Sequence, residues 1–243
     1  MDIFQTVILA FIQGLTEFLP VSSSAHLVIF PKFFDWPDQG LAFDVVLHFA
    51  SLCAVLIYYR ASIVLLTQDF FKSISIRKMQ GDSVIAWGVL LGTIPVGLAG
   101  LFFNDYVEMN LRSFEVVAYA TIFFGIALGF SDLVHRVRDI NREVICGSDI
   151  LIVGCAQALA LIPGTSRAGI TITAALLIGL SRKLSIKFAF LLSIPVISIA
   201  TLLKLFELSN EPQQTNWLLL IFGFAIAFLT SYFTIIFFIK LVE

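Results

Sequence analysis

Apolar residues run in blocks of about 20, the length an α-helix needs to cross roughly 30 Å of hydrocarbon, at about residues 41–59, 84–103, 114–133, 186–206 and 217–240. Only helices and closed barrels satisfy their backbone groups in lipid, and the alternating pattern of a barrel strand occurs nowhere, so the chain is restricted to a helical membrane bundle. Composition agrees. Of the 243 residues 59% are hydrophobic and 13% charged, against roughly a quarter charged in a soluble domain. A net charge of -2, with basic residues scattered through short loops, excludes a nucleic-acid-binding surface. No Lys or Arg precedes Lys32, so the N-terminus lacks the basic region of a cleaved signal peptide and is expected to be retained. Cys53, Cys146 and Cys155 are odd in number and lack CxxC spacing, which points to small buried side chains or incidental thiols and away from a disulfide framework or metal centre.

Two further apolar stretches are broken in the middle by polar residues. Residues 3–30 carry Gly14, Glu17 and Pro20 followed by Ser22, Ser23 and Ser24, and residues 150–180 break at Pro163-Gly164 before Thr165-Ser166-Arg167. Irregular backbone at membrane depth survives only where protein or a wet cavity covers it, so each stretch is predicted to be a re-entrant helix-turn-helix hairpin lining a cavity. Basic residues set the orientation. Arg60, Lys72, Arg77 and Lys78 mark a loop over 60–83 as cytoplasmic, and Arg136, Arg138 and Arg142 mark a second. The loop from Asn104 to Ser113 with Asp105 and Glu108, and the loop with Glu207 and Glu211, are then external. This count inserts the first hairpin from outside and the second from inside, as in inverted repeats. Pro20-Val-Ser-Ser can be laid on Pro163-Gly-Thr-Ser, and Leu91-Gly-Thr-Ile-Pro95-Val on Leu191-Leu-Ser-Ile-Pro195-Val, without gaps. The expected fold is an all-α polytopic bundle, a single membrane domain over 1–243.

A charge at bilayer depth costs about 3 kcal/mol on insertion scales, so Glu17 and Arg167 are read as functional unless they escape to the interface. Gln13 and Glu17 are i and i+4, stacked on one helix face, and could grip one divalent metal such as Mg²⁺ through oxygen. The Ser22–Ser24 run resembles a helix cap and anion-binding turn. His26 shares a face with Ser22 and Ser23 and could act as acid, base or nucleophile. In the second break Gly164 permits close backbone approach, Thr165 and Ser166 can cap, and Arg167 offers a planar fork suited to phosphate. Thr171 lies four residues beyond Arg167 and could add a hydroxyl. The combination predicts phosphoryl chemistry. Asp44 and His48, also i and i+4, are read as structural or gating; His135, beside Arg136, as solvated; Arg182 and Lys187 as interface anchors; and Trp36, Trp87 and Trp217 as interfacial belt residues.

The segments Gln13-Gly-Leu-Thr-Glu-Phe-Leu-Pro-Val-Ser-Ser-Ser-Ala-His26 and Leu159-Ala-Leu-Ile-Pro-Gly-Thr-Ser-Arg-Ala-Gly-Ile-Thr171 closely resemble the two signature motifs of the undecaprenyl-diphosphate phosphatases of the bacitracin-resistance type. The likeness extends through Phe43-Asp-Val-Val-Leu-His48 and Phe190-Leu-Leu-Ser-Ile-Pro195. It implies an enzyme of the bacterial inner membrane that removes the terminal phosphate of undecaprenyl diphosphate, recycling the carrier for cell-wall synthesis, with Mg²⁺ or Ca²⁺ as activator. Carried over by position, Gln13 and Glu17 match the metal element, Ser22, Ser23 and His26 the serine-histidine element, and Ser166, Arg167 and Thr171 the serine-arginine element. Ala25 stands where the family usually has Gly, and Ala168 where Ser is usual. His26, Ser23 and water all remain open as nucleophile, and a homodimer remains open as the assembly. The rival from another class is a transporter or flippase for a phosphate-bearing lipid, since paired broken helices also build anion sites in transporters. Acid-phosphatase-like lipid phosphatases place a nucleophilic His about five residues after Ser-Arg, and no His follows Arg167 here.

Overall fold

A computed structural model describes residues 1–111, 113–209 and 216–242. Its helices are α1 (Ile3–Thr16), α2 (Ser23–Phe33), α3 (Leu41–Tyr58), α4 (Arg60–Ile76), α5 (Ser83–Asn110), α6 (Phe114–Arg138), α7 (Gly147–Ala158), α8 (Arg167–Leu177), α9 (Arg182–Ser209) and α10 (Trp217–Val242), with a 3-10 turn at Leu159–Leu161. Among the described residues the only β-type pairing is an isolated bridge between Arg142 and Leu180. Five helices, α3, α5, α6, α9 and α10, are long and apolar enough to cross a membrane, and they coincide with the five apolar blocks of the sequence. The chain is a multi-pass membrane protein.

The differences from the sequence reading lie outside those blocks. Residues 60–76, expected as loop, form α4, whose buried Leu66 and Ser73 face α5. Trp87 is accordingly engaged by protein: its Nε1 donates to Ser73 Oγ at 3.1 Å and its ring lies 4.7 Å from that of Phe70. Helix α5 continues to Asn110 through most of the expected loop at 104–113, and Glu211 lies outside the described residues. His135 is buried, not solvated, because the chain reverses at Asp139 in the left-handed region and brings Asn141 Oδ1 to within 3.1 Å of His135 Nε2. Arg182 donates to Asp132 Oδ1 from Nε at 2.8 Å and Nη2 at 2.7 Å, which ties α9 to α6. Pro95 and Pro195 fall inside α5 and α9. Helices α2, α3 and α4 separate Pro20 from Pro95, whereas α8 is the one complete α-helix between Pro163 and Pro195, so the two gapless matches do not share one repeat register.

Each broken stretch is a helix-break-helix unit whose two ends lie together. Arg142 N donates to Gly179 O and Ser181 N to Arg142 O, both at 2.9 Å, so the chain before α7 runs beside the chain after α8. Arg142 seals this closure with a fork onto the buried Asp149, Nη1 to Oδ2 at 3.0 Å and Nη2 to Oδ1 at 2.9 Å. In the first unit Phe4 at the start of α1 meets Trp36 beyond α2 at 6.3 Å. The broken units reach the core: Phe18 from the first break and Ala168 and Ile172 of α8 pack in one buried cluster with Phe190 and Ile197 of α9.

Small residues permit the approach. A Cβ on Gly154 of α7 would sit 2.8 Å from both Cα and O of Gly92 in α5, whereas a Cβ on Gly97 would meet nothing within 4 Å. Backbone cannot yield as a flexible side-chain tip does. Gly154→Ala should therefore destabilise the detergent-solubilised protein by about 1–3 kcal/mol through overpacking, while Gly97→Ala, which gains helix propensity, should leave it unchanged or slightly more stable; thermal unfolding of the two variants beside the parent reads the contrast.

Candidate active site

Helix α1 ends at Thr16 and Glu17 occupies its C-cap, with backbone still helical. Pro20 cannot continue an amide ladder, and Ser22 opens α2 as its N-cap, Oγ accepting from Ala25 N at 3.3 Å. Across the bundle the second break is built the same way. Gly164 adopts φ +94°, and a Cβ there would strike Val117 O of α6, so only glycine fits the turn. Ser166 then caps α8, Oγ accepting from Gly169 N at 3.1 Å, and Arg167 is its first helical residue.

The two breaks meet. Arg167 Nη2 donates to Glu17 Oε1 at 2.7 Å, joining residues 150 positions apart, and both side chains are largely withdrawn from solvent, 14% and 6% exposed. The other carboxylate oxygen, Oε2, accepts from Ser23 Oγ at 2.6 Å and from Gln13 Nε2 at 3.0 Å. A fourth group faces it: His48 Nε2 lies 3.8 Å from Oε2. Because His48 Nδ1 is 2.8 Å from the carbonyl of Asp44, which only accepts, Nδ1 carries a proton and Nε2 is the ring nitrogen turned to the carboxylate.

Above this cluster lies a cavity of ≈ 220 Å³, lined by Glu17, Ser22, Ser23, Ser24, Thr165, Ser166 and Arg167 from the two breaks, by His48, and by Thr201 and Lys204 of α9, with Val96 and Val196 among its apolar walls. At about 30 Å³ per water it has room for roughly seven waters, enough for a diphosphate group. Two of its hydroxyls are chemically available: Ser23 Oγ points its proton at a carboxylate, and Thr165 Oγ1 is buried without any hydrogen-bond partner. Ser22 and Ser24 bond each other at 3.1 Å.

Some residues singled out in the sequence stand back from the cavity. Thr171 spends its hydroxyl on the carbonyls of Arg167 and Ala168, at 2.8 and 3.1 Å, and Gly164 acts through the turn. His26 donates from Nδ1 to Ser22 O at 2.7 Å, stacks on Phe30 and is not among the lining residues. Gln13 is fully buried behind Glu17, and its Oε1 has no partner. Among the described residues no group of three or more His, Cys, Asp or Glu converges, so a cation at this site would find few protein ligands beyond Glu17 and Gln13. The lining residues that sequence reasoning passed over are His48, set aside as structural, and Thr201 and Lys204. Their signal was present as polar side chains at i and i+3 in an apolar span.

The family model of the bacitracin resistance protein BacA matches residues 6–243. The chain belongs to the BacA family. Relatives agree along their whole length: the undecaprenyl-diphosphatase of Ruthia magnifica subsp. Calyptogena magnifica is 55% identical over 100% of this chain and 91% of its own. That of Vesicomyosocius okutanii subsp. Calyptogena okutanii is 53% identical over 100% and 92%. Undecaprenyl-diphosphatase 2 of Stutzerimonas stutzeri is 49% identical over 100% and 91%.

In this BacA-family chain, removing one member of a buried ion pair strands the other. Glu17→Gln or Arg167→Met alone should cost about 3–5 kcal/mol of stability, whereas the double variant should lose distinctly less than the sum, because no unpaired charge remains. Thermal unfolding of the four proteins gives the coupling; strictly additive losses would mean that the two groups do not depend on each other.

Proposed function

We propose that this protein hydrolyses undecaprenyl diphosphate to undecaprenyl phosphate and inorganic phosphate in the bacterial inner membrane, returning the lipid carrier to cell-wall synthesis and conferring resistance to bacitracin. The observation that carries the reading is the convergence of Glu17, Ser23 and Arg167 at one apolar-walled cavity. The diphosphatase activity for which the relatives are named agrees with it and offers nothing to the transport alternative.

In this reading α1–α2 and α7–α8 are re-entrant hairpins inserted from opposite faces as an inverted repeat. Their helices, 14 and 11 residues in the first and 12 and 11 in the second, are too short to cross the bilayer singly. The paired ends of each unit also favour an even number of passes. With the basic loops cytoplasmic, the cavity, near the far end of α9 from Arg182, opens outward. The prenyl chain enters laterally between helices and the terminal phosphate settles against Thr165, Ser166 and Arg167.

Ser23 Oγ attacks the terminal phosphorus as its proton passes to Glu17 Oε2. The bond from phosphorus to the bridging oxygen breaks, and its electron pair stays on the prenyl phosphate. Protonation of Glu17 weakens its hold on Arg167, so the guanidinium becomes available where charge develops on the phosphoryl oxygens. Water then cleaves the phosphoserine. His26, with Nδ1 anchored and Nε2 unbonded, serves as acid-base partner in the substrate complex; hydrogen bonds of this kind commonly tighten only once substrate is bound. Ser22, Ser24, Gly164 and Thr171 shape the two phosphate-binding turns.

A divalent cation, Mg²⁺ or Ca²⁺, belongs to the same reading. The donor chemistry fits, since the partnerless Gln13 Oε1 and the Glu17 carboxylate are hard oxygen ligands, and Mg²⁺ characteristically takes one or two protein ligands beside substrate phosphates. When bound it would offset phosphate charge as a Lewis acid.

The test is phosphate release from undecaprenyl and farnesyl diphosphates by purified protein in detergent, with no membrane gradient. The parent should turn over, EDTA should suppress it at least tenfold, and Mg²⁺ or Ca²⁺ should restore it. Ser23→Ala, Glu17→Gln, His26→Ala and Arg167→Met should each lose about 10²–10⁴-fold in kcat. Near-parental release by any one removes that residue from the scheme.

A further inference from the structure

The charges around the cavity do not balance in the way a multiply anionic substrate requires. Its titratable lining residues are Glu17, Arg167, His48 and Lys204, and the first two neutralise each other at 2.7 Å. Among the described residues lining the cavity, Lys204 is the permanently charged group that is in no ion pair. Three cations elsewhere in the bundle are matched: Arg142 by Asp149, Arg182 by Asp132, and Lys187 by Asp82. Lys204 makes no ion pair with any described residue. Asp44 of α3 is held by Gln39 Nε2 at 3.0 Å.

A lysine near a helix end commonly snorkels to the headgroup layer. Here the neighbouring positions decide the direction. Leu202, Leu203, Leu205 and Phe206 are the exposed residues of this turn, while Thr201 is buried and lines the cavity with Lys204. Depth follows from α9 as well. Ile197 packs with Phe18 and Ala168, sequence neighbours of Glu17 and Arg167, and Lys204 lies seven residues further, about 10 Å along the axis. Helical side chains tilt toward their own N-terminus, so the Lys204 stem slopes back down toward the ion pair. Lys204 therefore lines the cavity on the side away from the ion pair.

We propose that Lys204 grips the lipid-linked phosphate of the substrate at the cavity mouth, while the floor holds the terminal phosphate. This rests on the phosphatase reading above. It makes Lys204 a binding and specificity residue: it selects a second phosphate beyond the one attacked, and it holds the group that leaves as prenyl monophosphate.

The experiment compares parent, Lys204→Met and Lys204→Arg with farnesyl diphosphate as substrate, and with farnesyl monophosphate and inorganic phosphate as competing inhibitors. Lys204→Met should lower kcat/KM by about tenfold to a hundredfold, the scale of one charge-assisted hydrogen bond, and Lys204→Arg should recover most of it. Inhibition by farnesyl monophosphate should weaken in parallel, while inhibition by inorganic phosphate, which occupies the floor, should change less than about twofold. A Lys204→Met enzyme with parental kcat/KM overturns the proposal. So does equal weakening of both inhibitors, which would mean a general structural effect. A parent protein that releases no phosphate at all would instead overturn the phosphatase reading, so the two failures are distinguishable.

Discussion

The ion pair between Glu17 and Arg167 is the contact around which the molecule is arranged. Two unpaired charges at this depth would each cost several kcal/mol, and their attraction compensates only with good geometry and satisfied remaining lone pairs. The surroundings supply both: Ser23 and Gln13 donate to the second carboxylate oxygen, and His48 stands opposite. The pair therefore dictates that α1 and α8, whose paired residues are 150 positions apart in the chain, terminate and begin at the same place. Phe18 and Ala168, immediate neighbours of the two charges, then share one core cluster.

Breaking two helices inside an apolar bundle leaves orphan amide and carbonyl groups, and the hydroxyl residues divide according to that need. Ser22 and Ser166 cap helices, and Thr121 donates to Gly164 O at 3.0 Å. Thr171 and Thr173 bond back to their own helix. Once these obligations are met, Ser23, Ser24, Thr165 and Thr201 remain as cavity-lining hydroxyl residues that the backbone does not claim. Of these only Ser23 is bonded to the carboxylate.

The layout of charge follows the same economy. At the Arg182 end of α9 the basic residues are held by carboxylates, Arg182 by Asp132 and Lys187 by Asp82, with Arg142 on Asp149 closing the nearby second unit. These pairs pin helix ends. At the opposite end Lys204, in no ion pair with a described residue, lines the cavity beside a neutralised floor, so it adds positive charge there without a large standing charge at the Glu17–Arg167 pair itself.

Much of this was written in the order of residues. Five apolar blocks of bilayer length, two proline breaks and the side chains that flank them are local properties, and a hydrophobic span needs no tertiary context to be recognised in a chain obliged to satisfy its own backbone bonds in lipid. Glu17, Ser23, Ser166 and Arg167 could be named because charge and hydroxyl groups are costly in such surroundings. What folding alone decided is which polar groups face one another. Amphipathic α4 looked like a charged loop until Trp87 and Ser73 met across the turn. His135 looked solvated until Asn141 folded over it. His48 and Lys204 entered the cavity, and His26 stayed outside its lining, because the rotation of a helix about its axis is set by close packing such as Phe43 of α3 against Gly223 of α10 and Ile197 of α9 with Phe18. Helix phase of that kind depends on neighbours distant along the chain, and no periodicity within one segment contains it.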